Sequence, residues 1–125
     1  MPAEGIERLL AVNLGLGRAA IGLGLWLAPN RAAKALGFDD ADARTMAVAR
    51  IAASRDLVIA IWQLASLDES EELAKASRAA AVCDAGDTVA FLLALRDPST
   101  RKAGLRGVPV AAAAAAAGFW LAGRR

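Results

Sequence analysis

Long apolar blocks alternate along the chain with short polar connections, and four of the blocks are long enough to form helices. The four predicted helices cover about residues 6–28, 43–67, 72–95 and 108–122. Turn-forming or acidic residues separate them, as at Pro29-Asn30, Asp39 to Asp42 and Asp97 to Ser99. No segment shows the alternation of a strand. The pattern predicts an all-α fold, a four-helix antiparallel bundle in one domain covering residues 1–125.

The composition favours a membrane over water as the surroundings of this bundle. Hydrophobic residues make up 57% of the chain, and residues 107–123 contain no charged side chain. A helix of a water-soluble bundle needs a polar face, and the fourth helix has none. Its apolar part is short for a membrane span, but Arg106 and Arg124 could extend to the two headgroup layers. We therefore predict a transmembrane bundle, integral to the cell membrane, with a soluble helical bundle as an alternative.

The second helix combines apolar residues with three charges, Arg50, Arg55 and Asp56. At about 100° per residue, Arg55 lies roughly 140° and Asp56 roughly 240° around the helix from Arg50. The charges therefore do not define one solvated face. Each would cost about 2.5 to 3.5 kcal/mol at the centre of a membrane span, so the helix needs partners with which to insert.

Charged residues on the other helices occur at the depth where such partners are needed. Arg18 lies near the middle of the first apolar block, and Asp84 and Asp87 lie near the middle of the third. Because neighbouring antiparallel helices share one central level, we predict a buried charge layer or candidate ligand site with three arginines and three aspartates. Its six members are Arg18, Arg50, Arg55, Asp56, Asp84 and Asp87.

Three roles are compatible with this predicted layer. Arginine–aspartate pairs could fix helix packing and assembly or bind a ligand. Alternatively, Asp84 or Asp87 could exchange a proton or cation in a small transporter. As a third role, the two aspartates could act as acid and base on a lipophilic substrate in a membrane enzyme. Aspartates three residues apart are common without catalysis, so we assign no catalytic residue and favour the first role.

Several functional classes are disfavoured by what the sequence lacks. The net charge is only +2, and no basic stripe interleaved with aromatic residues suggests nucleic-acid binding. The chain has no histidine and a single cysteine, Cys83, so we expect no metal site and no cofactor. Residues 1–8 include Glu4 and Glu7 where a signal peptide would be basic, which predicts no cleaved targeting segment.

The expected partners follow from the membrane prediction. They are the lipid bilayer, a second copy of the chain or another membrane protein, and a lipophilic small molecule if the layer binds one. Lysine and arginine side chains number seven on the predicted side of the first and third connections and five on the side of the termini. This small excess favours an orientation with the termini outside, and dual topology is the alternative.

Short motifs spread over most of the chain resemble those of a family of small four-helix bacterial membrane proteins that has no assigned activity. The motifs are Gly17-Arg18 with Gly22, Ala28-Pro29 followed by Leu36-Gly37, Arg50, Arg55-Asp56, and Asp84 with Asp87. The resemblance implies the four-helix membrane fold and marks the same charged positions. It implies no mechanism.

Overall fold

The computed structural model describes residues 4–39 and 42–124, which fold into α-helices without any strand. The predicted all-α class is therefore confirmed, but the described residues contain five helices instead of four. The helices are α1 (Gly5–Leu27), α2 (Pro29–Leu36), α3 (Ala43–Ala65), α4 (Ser70–Ala94) and α5 (Arg101–Ala122). Part of the N-terminal segment considered above, residues 1–3, and two members of the acidic connection, residues 40 and 41, lie outside the described ranges.

The additional helix is α2, which occupies a segment predicted to be a connection. Pro29 stands in its first turn, where proline is favoured because that position needs no N–H donor. Gly37 ends the helix with φ of 101°, a left-handed conformation that glycine adopts without steric cost. The N–H of Phe38 donates to the carbonyl of Ala33 at 2.8 Å and closes the cap. The Pro29-Asn30 stop signal therefore ends α1 and begins a new helix at once.

The last helix, α5, begins at Arg101, about seven residues before the predicted start near Val108. Pro109 lies inside this helix and is exposed, so the predicted start at residue 108, one residue before the proline, is wrong. Packing explains the earlier start, because Gly104 is buried against Phe91 and Leu95 at the end of α4, and Ala103 is buried beside Gly37. This burial stabilises the first turn of α5, which the position of Pro109 in the sequence does not indicate.

Asp42, the last residue of the acidic connection, caps the start of α3. Its carboxylate accepts a hydrogen bond from the backbone N–H of Thr45 at 2.8 Å. This hydrogen bond holds the pKa of Asp42 below its usual value. The cap therefore remains ionised at neutral pH and fixes where α3 begins.

The long helices form two antiparallel pairs, α1 with α3 and α4 with α5. Glycines allow the close approach within each pair. A Cβ atom added at Gly22 would lie 3.2 Å from the carbonyl oxygen of Ala53 in α3, and one at Gly118 would lie 3.1 Å from that of Ser77 in α4. Contacts between the two pairs are fewer. They include a small apolar cluster of Ala11, Leu73 and Leu121 and the charged side chains described below.

The distribution of apolar residues is inverted relative to a water-soluble bundle. Twelve of the sixteen buried hydrophobic residues in the described ranges are alanines, whereas twenty large hydrophobic side chains are exposed. Water-soluble proteins bury most of their leucine, isoleucine and valine. Two helices, α1 and α5, are long and apolar enough to span a membrane. The surface that the bundle presents is therefore largely apolar on its long helices.

The close packing of α4 and α5 predicts the effect of adding one methyl group at Gly104. A Cβ atom there would lie 2.6 Å from the carbonyl oxygen of Phe91 and 2.8 Å from Cδ2 of Leu95. Because the backbone must move, Gly104→Ala should lower the free energy of unfolding in detergent by about 1–3 kcal/mol. Gly86→Ala is the matched control, since nothing lies within 4 Å of the added atom. It should leave stability unchanged or raise it by up to about 1 kcal/mol. Equal destabilisation of both variants would contradict the packing.

Candidate functional site

Three helices place charged side chains at one level near the middle of the bundle. Arg18 comes from α1, Arg55 and Asp56 come from α3, and Asp84 and Asp87 come from α4. Each position lies within about two helical turns of the centre of its helix, as the depth argument predicted. We call these five residues the charge layer. They form one connected network of hydrogen bonds and ion pairs.

Arg18 is the innermost member of the charge layer and joins three helices. One terminal nitrogen donates to Oδ1 of Asp56 at 3.2 Å, and the other donates to Oδ2 of Asp84. The side chains of Arg18 and Asp84 are each 9% exposed, and that of Asp56 is 12% exposed. The guanidinium therefore connects the α1–α3 pair to the α4–α5 pair away from the surroundings.

Arg55 forms the outer half of the charge layer. Its two terminal nitrogens donate to the two carboxylate oxygens of Asp87 at 3.2 and 2.9 Å, a bidentate pair. The same guanidinium donates from Nε and a terminal nitrogen to Oδ1 of Asp56, at 3.3 and 3.1 Å. The side chains of Arg55 and Asp87 are 38% and 35% exposed. The network thus runs from a buried inner end to a partly open edge, with Asp56 as the shared acceptor.

Arg50 lies outside the charge layer, so its predicted place in that layer is wrong. It is exposed, its Nε donates to the backbone carbonyl of Trp26 at 3.3 Å, and its guanidinium lies 5.9 Å from the centre of the Trp26 ring. The position of Arg50 on α3, turned away from Arg55 and nearer to the end of the helix, accounts for this. The layer therefore contains two arginines and three aspartates instead of three of each, a formal charge of −1.

A second buried polar contact was missed by the sequence analysis. Gln63 on α3 and Ser77 on α4 are both 0% exposed, and Nε2 of Gln63 lies 3.4 Å from Oγ of Ser77. Among the described residues, two buried side-chain polar atoms lack a hydrogen-bond partner, Oε1 of Gln63 and Nε of Arg18. The signal was present in the spacing, since Gln63 follows Asp56 by seven residues and Ser77 precedes Asp84 by seven, which puts each on the face of its charged neighbour.

The geometry of the charge layer pairs each of its acidic groups with a basic one. Every carboxylate in it accepts hydrogen bonds from a guanidinium. Two clefts of about 140 and 310 Å³ lie elsewhere, one between α1 and α2 and one beside Gly5 to Val12. Within the described ranges, no group of three or more Cys, Asp or Glu side chains is arranged to hold a metal ion. The layer is thus a set of paired charges, and none of its five residues lines either of these two clefts.

Comparison of the chain with protein-family models, curated proteins and solved structures finds no match. The resemblance to small four-helix membrane proteins remains a prediction.

The bridging position of Arg18 predicts a large cost for its removal. Arg18→Gln would leave Asp84 without its guanidinium and Asp56 with only one. Loss of one partner from a buried ion pair costs about 3–5 kcal/mol, so the free energy of unfolding in detergent should fall by that amount. Arg50→Gln removes an exposed arginine of α3 that lies outside the charge layer. It should lower the free energy of unfolding by less than about 1 kcal/mol. Denaturant titrations followed by tryptophan fluorescence would measure both.

A second substitution identifies the cause of the loss. Adding Asp84→Asn to Arg18→Gln removes the carboxylate left unpaired and should recover part of the lost stability. Equal, small effects of Arg18→Gln and Arg50→Gln would mean that the ion pairs do not hold the helices together. Full additivity of Arg18→Gln and Asp84→Asn would lead to the same conclusion for this pair.

Proposed function

We propose that the protein is integral to the cell membrane and that its charge layer serves helix packing and assembly, fixing the register of helices that span the bilayer. The observation that carries this proposal is the inversion of the bundle. At mid-depth the side chains of Arg18, Asp56 and Asp84 are buried, whereas many leucine, isoleucine and valine side chains are exposed. Lipid would accept such an apolar surface, and water would not.

Helix length supports this proposal. The four long helices contain 23, 23, 25 and 22 residues. About 20 residues suffice to cross a hydrocarbon core of about 30 Å. Although only α1 and α5 are apolar enough to be recognised as spans by themselves, α3 and α4 have matching lengths. Their lower hydropathy comes largely from charged residues, of which Arg55, Asp56, Asp84 and Asp87 are paired within the charge layer.

The ion pairs reduce the cost of placing α3 and α4 in lipid. Arg55 and Asp56 would each cost about 2.5 to 3.5 kcal/mol on an isolated helix at the bilayer centre. In the bundle, Asp56 accepts from both arginines, and Arg55 is also bound to Asp87. Arg50 lies further toward the end of α3, from which a long side chain can reach the headgroups. Assembly with α1 therefore makes insertion of the charged helices less costly.

The tryptophans are also consistent with a bilayer around the bundle. Trp26 lies near the end of α1, Trp62 near the end of α3 and Trp120 near the end of α5. The Nε1 atom of Trp62 donates to Glu72 at 3.2 Å, and the guanidinium of Arg124 lies 5.0 Å from the ring of Trp120. Tryptophan favours the membrane–water interface because its ring is apolar and its N–H is polar. The tryptophans would therefore mark two interfaces, with Trp26 at one and Trp62 and Trp120 at the other.

Proton- or cation-coupled transport is a second candidate, which one observation favours. With Arg50 outside, the charge layer holds one carboxylate more than it holds guanidinium groups. A buried negative charge attracts a proton or a cation, and the partly exposed pair of Arg55 and Asp87 would be the entry point. The enzyme alternative has no comparable support, since neither described cleft is lined by a member of the layer.

Membrane partition tests the first part of the proposal. After lysis without detergent, the protein should sediment with the membranes and remain there through a wash in alkaline carbonate, because its exposed side chains are apolar. Solubilisation should require detergent. Recovery of folded, monodisperse protein in the supernatant would reject the membrane proposal and favour the soluble bundle.

Proton flux in liposomes separates assembly from transport. For a structural layer, liposomes with the wild-type protein should show no more proton or monovalent-cation flux than empty liposomes. The variant Asp87→Asn should reduce the stability of the bundle without changing flux, because it weakens the bidentate pair with Arg55. A flux that depends on the wild-type protein and disappears in a stable Asp87→Asn variant would establish the transport candidate instead.

A further inference from the structure

The outer half of the charge layer, Arg55 and Asp87, is only partly covered by the bundle. Their side chains are 38% and 35% exposed, whereas no side chain of the inner half, Arg18, Asp56 and Asp84, is more than 12% exposed. In a bilayer, this level of the bundle would be surrounded by hydrocarbon. Charged groups in contact with hydrocarbon are costly, and in membrane proteins they usually face the protein interior. A single chain therefore leaves one side of the charge layer in need of a cover.

Large apolar side chains flank Arg55 on α3. Ile51, Val58 and Trp62 stand four residues before, three after and seven after Arg55, which places all three within about 60° of it around the helix. They are 71%, 66% and 36% exposed. This alternation of three- and four-residue steps is typical of a helix face that packs against another helix.

Small side chains occupy the corresponding positions on α4. Cys83, Ala90 and Ala94 have the same spacings from Asp87, and Ala90 is exposed while the other two are half-buried. Nε1 of Trp62 donates to Glu72 at 3.2 Å, and Glu72 precedes Ala90 by five whole turns of helix. The two rows therefore adjoin on one side of the bundle. We call this surface the α3–α4 face, and its members are Ile51, Arg55, Val58, Trp62, Cys83, Asp87, Ala90 and Ala94.

The charges of the α3–α4 face are complementary to those of an identical face. Arg55 and Asp87 are bound to each other from neighbouring helices, so they lie side by side at one level. A two-fold axis along the membrane normal would place Arg55 of each copy opposite Asp87 of the other, and the large row of α3 opposite the small row of α4. An axis in the membrane plane would instead place Arg55 opposite Arg55. The pattern therefore selects two copies that insert in the same orientation.

We propose that a second copy of the chain covers the α3–α4 face, in a symmetric dimer whose two outer charge pairs close into one ring of alternating charges. Arg55 and Asp87 together carry no net charge, so the excess carboxylate of each layer stays in its inner half. The outer half of the layer is thus completed by residues of the second copy. The inference rests on the proposed membrane location, because water would hydrate a half-exposed ion pair without any partner.

Energy transfer between labelled chains in liposomes tests the dimer. Donor and acceptor dyes would be attached at Ala43→Cys, an exposed position at the start of α3, in a Cys83→Ser background. We expect transfer above the level of chance encounters, rising with the protein-to-lipid ratio and depending on the acceptor fraction as it does for dimers. At high dilution in lipid the chains should separate, and the α3–α4 face should then contact lipid.

Two variants with the same substitution locate the interface. Ala90→Phe adds a ring to the small row of the α3–α4 face, whereas Ala113→Phe adds the same ring to an exposed position in the middle of α5. Because overpacking an interface is destabilising, Ala90→Phe should raise the protein-to-lipid ratio for half-association at least about 10-fold. Ala113→Phe should leave that ratio unchanged.

Removal of both outer charges tests the part played by the ion pairs. Arg55→Gln with Asp87→Asn keeps the side chains similar in size and leaves Asp56 and Asp84 bound to Arg18. Charge pairs buried in an interface are strongly coupled, so this double variant should weaken association about 10-fold or more. Tryptophan fluorescence of diluted protein would establish that the variant is folded. If it is not, Ala90→Phe and Ala113→Phe decide the matter.

Flotation of the liposomes separates the dimer from the membrane proposal on which it rests. Protein that floats with the lipid but shows only chance transfer at every ratio would overturn the dimer and leave the membrane location intact. Wild-type association of folded Ala90→Phe, or equal weakening by Ala90→Phe and Ala113→Phe, would also overturn the α3–α4 face as the interface. Protein that does not float with the liposomes would reject both proposals.

Discussion

The guanidinium of Arg18 reaches from α1 to carboxylates on α3 and α4, and the arrangement of the long helices depends on this contact. An unpaired charge in an apolar interior costs several kcal/mol, so each of the three groups requires the others. Contacts between the α1–α3 pair and the α4–α5 pair are otherwise few. The ion pairs of Arg18 and Arg55 therefore determine at which depth the two pairs meet, a specificity that packing of alanine against alanine cannot supply.

Small residues provide the complementary constraint. Alanine and glycine occupy most of the buried positions, so the helices approach closely and each buried side chain contributes little apolar area. In water, such a core would be weak and the exposed leucine, isoleucine and valine side chains would favour aggregation. In lipid, close packing and interhelical polar contacts are the main sources of stability, and the bundle has both. The buried charge layer and the exposed apolar surface are therefore both suited to the same surroundings, a lipid bilayer.

The sequence predicted the elements whose signals were local and missed those that depended on packing. Helix class, the three longest helices and the depth of Arg18, Asp56 and Asp84 followed from block length and position. The start of α5 was wrong because burial of Ala103 and Gly104 outweighed the usual place of proline, and α2 was missed because Pro29 was interpreted only as a stop. Arg50 was included by charge and spacing alone, which do not show toward which neighbour a side chain turns. Gln63 and Ser77 were missed because the sequence analysis considered only charged residues as candidates for the buried layer.

In the proposed membrane location, the outer surface of the bundle faces lipid at the depth where the charge layer is buried. Spin labels at Val58→Cys on α3 and Val89→Cys on α4, in a Cys83→Ser background, would measure this in protein reconstituted at high dilution in lipid. Both valines are exposed and lie near the level of the charge layer. The account predicts relaxation of both labels by oxygen, which concentrates in lipid, and little relaxation by a water-soluble nickel complex. Stronger relaxation by the nickel complex at both positions would contradict it.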